Sequence, residues 1–95
     1  MTLDSLRLRR AEILQLAARH GARNVRVFGS VARGDSREGS DVALLVELDQ
    51  GYTLFDLGAL LMDLRDLPGP RVDLVTPRIL RHYIRDRVLS EATPL

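Results

Sequence analysis

The sequence predicts a small α/β domain, and three observations carry that reading. Runs of β-type residues occur at 24–28, 41–48 and 71–75; apolar residues at helical spacing lie before, between and after them; and residues that stop or start elements sit at the junctions. The order is α-β-(short α)-β-α-β-α. There is no repeat, no low-complexity segment and no interdomain linker, so residues 1–95 are read as one domain.

Taken in order, residues 3–20 predict a helix, with Leu6, Ile13, Leu14 and Ala17 on one face and Gly21 as its stop. Arg10 falls in that same stripe and must snorkel or meet a partner. The first strand follows at Asn24–Phe28. Ser30–Arg33 suits a short helical turn, and Gly34–Gly39 has loop chemistry. In the second strand, Asp41–Leu48, Val42, Leu44 and Val46 point one way, while Asp41, Ala43, Leu45 and Glu47 point the other. Thr53 with Asp56 three residues on reads as a capping box opening a helix over 53–67. Its apolar face is Leu54, Leu57, Leu61 and Leu64, and Pro68-Gly69-Pro70 ends it. Arg71–Val75 is the third strand. Thr76-Pro77 suits N-cap and N1 of a last helix running to about Glu91, burying Leu80, Tyr83, Ile84 and Val88.

Composition removes several functions. Apolar residues make up 45%, too many for disorder, and no apolar run approaches the ~18 residues of a membrane span. No signal-peptide core is visible at the N-terminus, and the chain is read as soluble and cytoplasmic. With no cysteine, disulfides and thiolate metal sites are excluded. A net charge of +1 and 4% aromatic residues argue against direct nucleic-acid binding. All 14 basic residues are arginine, which fits a GC-rich coding bias and also matches carboxylate and phosphate forks. Arg78, Arg81, His82 and Arg85 form a basic stripe, read first as a solvated face and alternatively as a docking surface. His20 reads as a helix C-terminal cap.

The chemistry gathers between Phe28 and Val46, in FGSVARGDSREGSDVALLV. Gly29-Ser30 at a strand end lets backbone N–H groups approach a phosphate. Asp41, at the head of the next strand, supplies oxygen ligands of the kind that Mg²⁺ shares with substrate phosphates. Each feature alone is ordinary: Gly-Ser marks many turns, and a single Asp often caps a strand or pairs with a cation. If Gly29, Ser30, Asp41 and Asp73 form one site, the end of strand one lies beside the starts of strands two and three. Strand one is then antiparallel to strand two, and strand two parallel to strand three with the 53–67 helix as crossover.

This pattern resembles the minimal nucleotidyltransferase family of the DNA polymerase β-like superfamily, whose signature is Gly-Ser, about ten residues, Asp-x-Asp and a third carboxylate on a later strand. Gly29, Ser30, Asp41 and Asp73 match it; Ala43 stands where the second Asp belongs. The resemblance covers nearly the whole chain and implies a small nucleotidyltransferase fold, with a mixed sheet of three or slightly more strands flanked by helices. It implies that Gly29 and Ser30 cradle the triphosphate of ATP, that Arg33 joins them by reaching phosphate or holding the loop, and that Asp41 and Asp73 bind Mg²⁺. Asp-x-Asp on a strand sets two carboxylates on one face, roughly 6.5–7 Å apart, which suits a two-ion site. With a methyl group at Ala43 that site is incomplete and transfer is expected to be impaired.

Proteins of this kind are antitoxins encoded beside a HEPN-domain RNase toxin, which they silence by transferring AMP from ATP onto a tyrosine. The resemblance therefore implies a hetero-oligomeric complex with a HEPN toxin. The other reading is a non-catalytic antitoxin or adaptor that neutralises by contact. Ala43 itself is either an engineered inactivation, favoured by the intact flanking motif, or a natural change.

Overall fold

A computed structural model describes residues 3–35, 41–68, 71–80 and 82–95, with the side chains of residues 82 and 83 excepted. Its elements are α1 (Leu3–Arg7), α2 (Arg10–Arg19), β1 (Ala22–Phe28), α3 (Ser30–Arg33), β2 (Val42–Leu48), α4 (Leu54–Asp66), β3 (Val72–Val75), α5 (His82–Glu91) and β4 (Thr93–Pro94). The sheet order is β3-β2-β1-β4. β1 is antiparallel to β2 and to β4, while β2 and β3 are parallel. The mixed sheet with β2 inside it is the predicted arrangement, extended by one edge strand.

Strand alternation distributes the core over both faces. Val27, Val42, Leu44 and Val46 pack with Leu6, Ile13, Ala17, Leu57, Leu60 and Leu64 beneath α1, α2 and α4. On the other face, Leu45 meets Leu80 and Val88, with Phe28, Val75, Ile84 and Ala92 around them. Leu45 is fully buried, which a two-sided sheet requires of an inner strand.

Several local expectations change. The first helix is broken: Arg9 N–H donates to Leu6 O at 3.0 Å, a tight turn, and α2 starts afresh at Arg10. The bend turns Arg10 out into solvent and leaves Arg9 half-buried beside Leu6, Ile13 and Leu64. Gly21 does end α2, at φ 73°. β1 begins two residues earlier than expected and carries a bulge, where Asn24 takes φ 52° and the pairing shifts between Arg23 and Arg26. The Asn24 amide donates to Glu47 across the ladder.

The Thr53–Asp56 capping box forms as predicted: Thr53 Oγ1 accepts from Phe55 N–H, and Asp56 accepts from Thr53 N–H at 2.7 Å. The buried face of α4 is Leu57, Leu60 and Leu64 rather than one that includes Leu54, which is 64% exposed. Leu54 is the first residue of the helix. Leu61 is only half-buried, because the row 57–60–64 faces the strands.

Thr76-Pro77 does not open the last helix. Thr76 is buried, its carbonyl accepts from Ile79 N–H at 3.0 Å, and the resulting turn delivers Leu80 to Leu45 before α5 begins. Arg78 therefore lies in the turn, off any helical stripe, and Arg85 is half-buried, its Nε without a hydrogen-bond partner among the described residues. Ile84 and Val88 pack inward as expected. The stripe's Arg81, the side chains of His82 and Tyr83, residues 36–40 of the loop, and Gly69 and Pro70 lie outside the described residues. β4 was not expected. Pro94, which lacks an N–H, sits on the edge strand, and Leu95 is buried with its N–H donating to Val25 O.

No helix among the described residues is long and apolar enough to cross a membrane.

Candidate active site

The sheet brings the motif residues to one end. β1 finishes at Phe28, paired with Ala43, and Ala43 is paired in turn with Asp73 on β3. One rung therefore runs Phe28–Ala43–Asp73 across three strands. Gly29 follows directly: a Cβ built on it would lie 3.8 Å from the Ala43 Cβ. Asp41 stands just before β2, two residues below Ala43 and on the same side of the sheet by alternation. Val42 N–H donates to Arg71 O at 2.8 Å, which fixes the entry of β2 against the start of β3.

Gly29 is needed for its backbone. It adopts φ 78° and ψ −152°, a region that side-chain-bearing residues avoid, and serves as the N-cap of α3. Arg33 N–H donates to Gly29 O, and Asp35 N–H donates to Ser30 O, both at 3.0 Å, so the chain after β1 curls tightly. Val31 is buried in the core and anchors that curl. Ser30 is half-exposed at its start.

Arg33 is held by two carboxylates. It donates to Asp35 through Nε and to Glu91 of α5 through Nη1, each at 3.3 Å. The hydrogen bond and charge of Asp35, with Glu91 adding to them, raise its pKa above the ordinary arginine value. The loop after Gly29-Ser30 is thereby tied to the C-terminal end of α5, a link not visible in the sequence because the partners are 58 residues apart.

Asp73 also has cationic neighbours. Arg65, in the last turn of α4, donates from Nη2 to Asp73 Oδ1 at 3.1 Å and from Nε to Val72 O at 3.3 Å. Arg71 approaches the same oxygen at 4.0 Å. Sequence reading gave Arg65 no role; the signal was its place one helical turn before the break that leads into β3.

His20 is the C-cap residue of α2, as expected, and its Nε2 lies 2.6 Å from Asp63 Oδ2 on α4, away from the motif. An open cleft of about 840 Å³ lies at the opposite end of the sheet, between Glu47, Asp49, Tyr52, Leu54, Thr76 and Ile79, and is lined by none of the motif residues.

Asp41 is exposed and Asp73 is half-exposed, and both lie on one side at one end of the sheet. Two carboxylates with open solvent access fit one hard cation that completes its shell with water and phosphate oxygens. Among the described residues no group of three or more His, Cys, Asp or Glu side chains converges. Where an Asp-x-Asp would place its second carboxylate, this chain has the methyl of Ala43.

Comparison with known proteins places the fold in a family. The family model for the nucleotidyltransferase domain matches residues 11–95. Protein adenylyltransferase MntA of Thermococcus cleftensis is 40% identical over 77 residues, 81% of this chain and 78% of that protein. A Methanocaldococcus jannaschii protein, provisionally named a protein adenylyltransferase, is 36% identical over 81 residues, 85% of this chain and 87% of that one. Among solved structures, one provisionally described as a minimal nucleotidyltransferase superposes with a TM-score of 0.86 at 54% identity, covering 100% of this chain and 97% of that one. A toxin–antitoxin crystal structure with AMP-PNP shares the fold, with a TM-score of 0.73 at 20% identity over 88% of this chain and 69% of that one. With one family spanning residues 11–95 and a 54%-identical minimal nucleotidyltransferase matching from end to end, this chain belongs to the nucleotidyltransferase family of enzymes, among its minimal members.

Proposed function

We propose that this chain is a single-domain cytoplasmic antitoxin that transfers AMP from ATP to a tyrosine of a cognate HEPN RNase toxin, and that Ala43 leaves it catalytically impaired. The observation that carries the reading is the shared end of the sheet: Gly29, Asp41 and Asp73 converge around Ala43. The adenylyltransferase names of two relatives support protein as acceptor, and the toxin–antitoxin neighbour supports the kind of partner.

In this reading the N–H groups following Gly29 face the triphosphate, since no Cβ intervenes. Ser30 adds a hydroxyl, and Arg33 keeps the loop in place through Asp35 and Glu91. Asp41 and Asp73 would hold Mg²⁺, which supplies neutralisation of the triphosphate's charge when bound. The acceptor tyrosine oxygen forms a bond to the α-phosphorus as the bond to pyrophosphate breaks, and the phenolic proton is lost. The site's contribution is alignment and charge compensation.

The methyl at Ala43 favours a second reading for the chain as written, an antitoxin that silences its partner by contact alone. One experiment separates them. The protein is co-expressed with the product of its neighbouring gene, and the partner is analysed by mass spectrometry after incubation with ATP and Mg²⁺. AMP on a partner tyrosine supports transfer. A stable complex without labelling supports neutralisation by contact. Failure to co-purify at low and moderate salt removes the antitoxin reading.

A further inference from the structure

The strand neighbour of Asp73 in the candidate site is Ala43, whose methyl cannot share the work of a carboxylate. The orientation of Asp73 must therefore be set from elsewhere. Arg65 supplies two contacts from a different element: Nη2 to Asp73 Oδ1 and Nε to the carbonyl of Val72. The guanidinium spans consecutive acceptors of β3, so its own position is fixed before it fixes the carboxylate. Lysine could not do both, because the two bonds need the planar fork. The side chains of Arg65 and Asp73 remain 37% and 48% exposed, so Asp73 keeps an open side. Arg71 differs: it is 65% exposed and stands 4.0 Å from the carboxylate, contributing charge without a short hydrogen bond.

We propose that Arg65 is a positioning residue: it holds the Asp73 carboxylate in the orientation that binds a divalent cation, and so ties the cation site to the last turn of α4. The inference rests on the reading of Asp41 and Asp73 as cation ligands. Two effects compete in this arrangement. A guanidinium beside a carboxylate repels a second cation, whereas a hydrogen bond that orients a ligand strengthens coordination. Loss of such an outer partner typically weakens metal affinity by about 10–100-fold, and the doubly anchored geometry of Arg65 puts orientation ahead of repulsion.

The test measures Mn²⁺ binding without nucleotide by the loss of the free-ion electron paramagnetic resonance signal, on the whole chain and its variants, each checked for folding by circular dichroism. Arg65→Ala is expected to weaken Mn²⁺ binding about 10–100-fold, Arg65→Lys to recover part of it, and Arg71→Ala to leave it equal or tighter. Tighter binding by a folded Arg65→Ala variant would overturn the proposal, because charge would then outweigh orientation. If Asp73→Ala abolishes binding and Arg65→Ala leaves it unchanged, the positioning role alone falls. If Asp73→Ala leaves Mn²⁺ binding untouched, the cation-ligand reading fails and takes this inference with it.

Discussion

Ala43 and Asp73 face each other across the parallel β2–β3 pair, on the side of the sheet where Asp41 also lies. Restoring a carboxylate at position 43 would therefore do two things at once. On the proposed reading of Asp41 and Asp73 it would complete the oxygen set for cation binding, and it would set two like charges directly opposite on adjacent strands. Cross-strand pairs are worth roughly 0.2–1 kcal/mol, with the sign against like charges. Ala43→Asp is thus expected to lower the melting temperature by a few degrees in EDTA, at about 4–8 °C per kcal/mol for a domain of this size. Mg²⁺ should return most of the loss. Transfer of AMP to the partner should rise by on the order of 10²-fold or more, as for restoring a transition-state contact. Equal labelling with and without the new carboxylate would show that position 43 is not a required ligand.

Gly29 offers a cleaner probe of the nucleotide. A Cβ there meets only ordinary contact with Ala43, so the obstacle to a side chain is the φ of 78° and the space a phosphate needs. Gly29→Val is expected to cost on the order of 1–3 kcal/mol in strain and to abolish ATP binding in calorimetry. A folded variant with unchanged ATP affinity would mean that the phosphates lie elsewhere.

Gly21 tests the fold far from the chemistry. A Cβ at this residue would come within 2.4 Å of the Tyr52 ring, and φ is 73°. Both effects act together, so Gly21→Ala should destabilise by more than the ~1 kcal/mol expected from backbone strain alone. Thermal unfolding by circular dichroism measures it. A loss below about half a kcal/mol would show that the Tyr52 ring swings aside without cost.

Much of this was legible in the sequence, for identifiable reasons. Alternation in Val42–Leu48 separates two faces because successive strand side chains point to opposite sides, and the capping box at Thr53 is a purely local signal. The parallel β2–β3 pair followed from requiring Asp41 and Asp73 at one end. What was not legible depends on distant partners. The break at Leu8 and Arg9 lies inside an unbroken helical stripe, with Leu6 before it and Ile13 after it both packed in the core. Thr76-Pro77 has good cap chemistry, yet Leu80 must first reach Leu45, so a turn intervenes. β4 is two residues long, includes a proline and exists through its pairing with β1. In the candidate site, Gly29, Ser30, Asp41 and Asp73 are read from their spacing, whereas the contacts of Arg65 with Asp73 and of Glu91 with Arg33 arise from folding alone.

Arg33 allows a last distinction, between touching the substrate and holding the loop that does. In the structure its guanidinium is engaged by Asp35 and Glu91, and Glu91 also accepts from Arg87 at 3.2 Å. If Arg33 acts by tying the α3 loop to α5, Arg33→Ala and Glu91→Ala undo the same link. Each should then weaken ATP binding several-fold, and the double variant should be little worse than either single one, the non-additivity expected of partners in one contact. Stability should change by less than about 1 kcal/mol, since the pair is exposed. If instead Arg33 leaves these carboxylates to contact phosphate, Glu91→Ala removes a competitor. ATP would then bind as well or better, while Arg33→Ala alone would lose affinity. Calorimetric titration of ATP into the three variants decides between them. The two carboxylates at 3.3 Å and the 3.0 Å bond from Arg33 N–H to Gly29 O favour the tie, so the expected result is matched, non-additive loss.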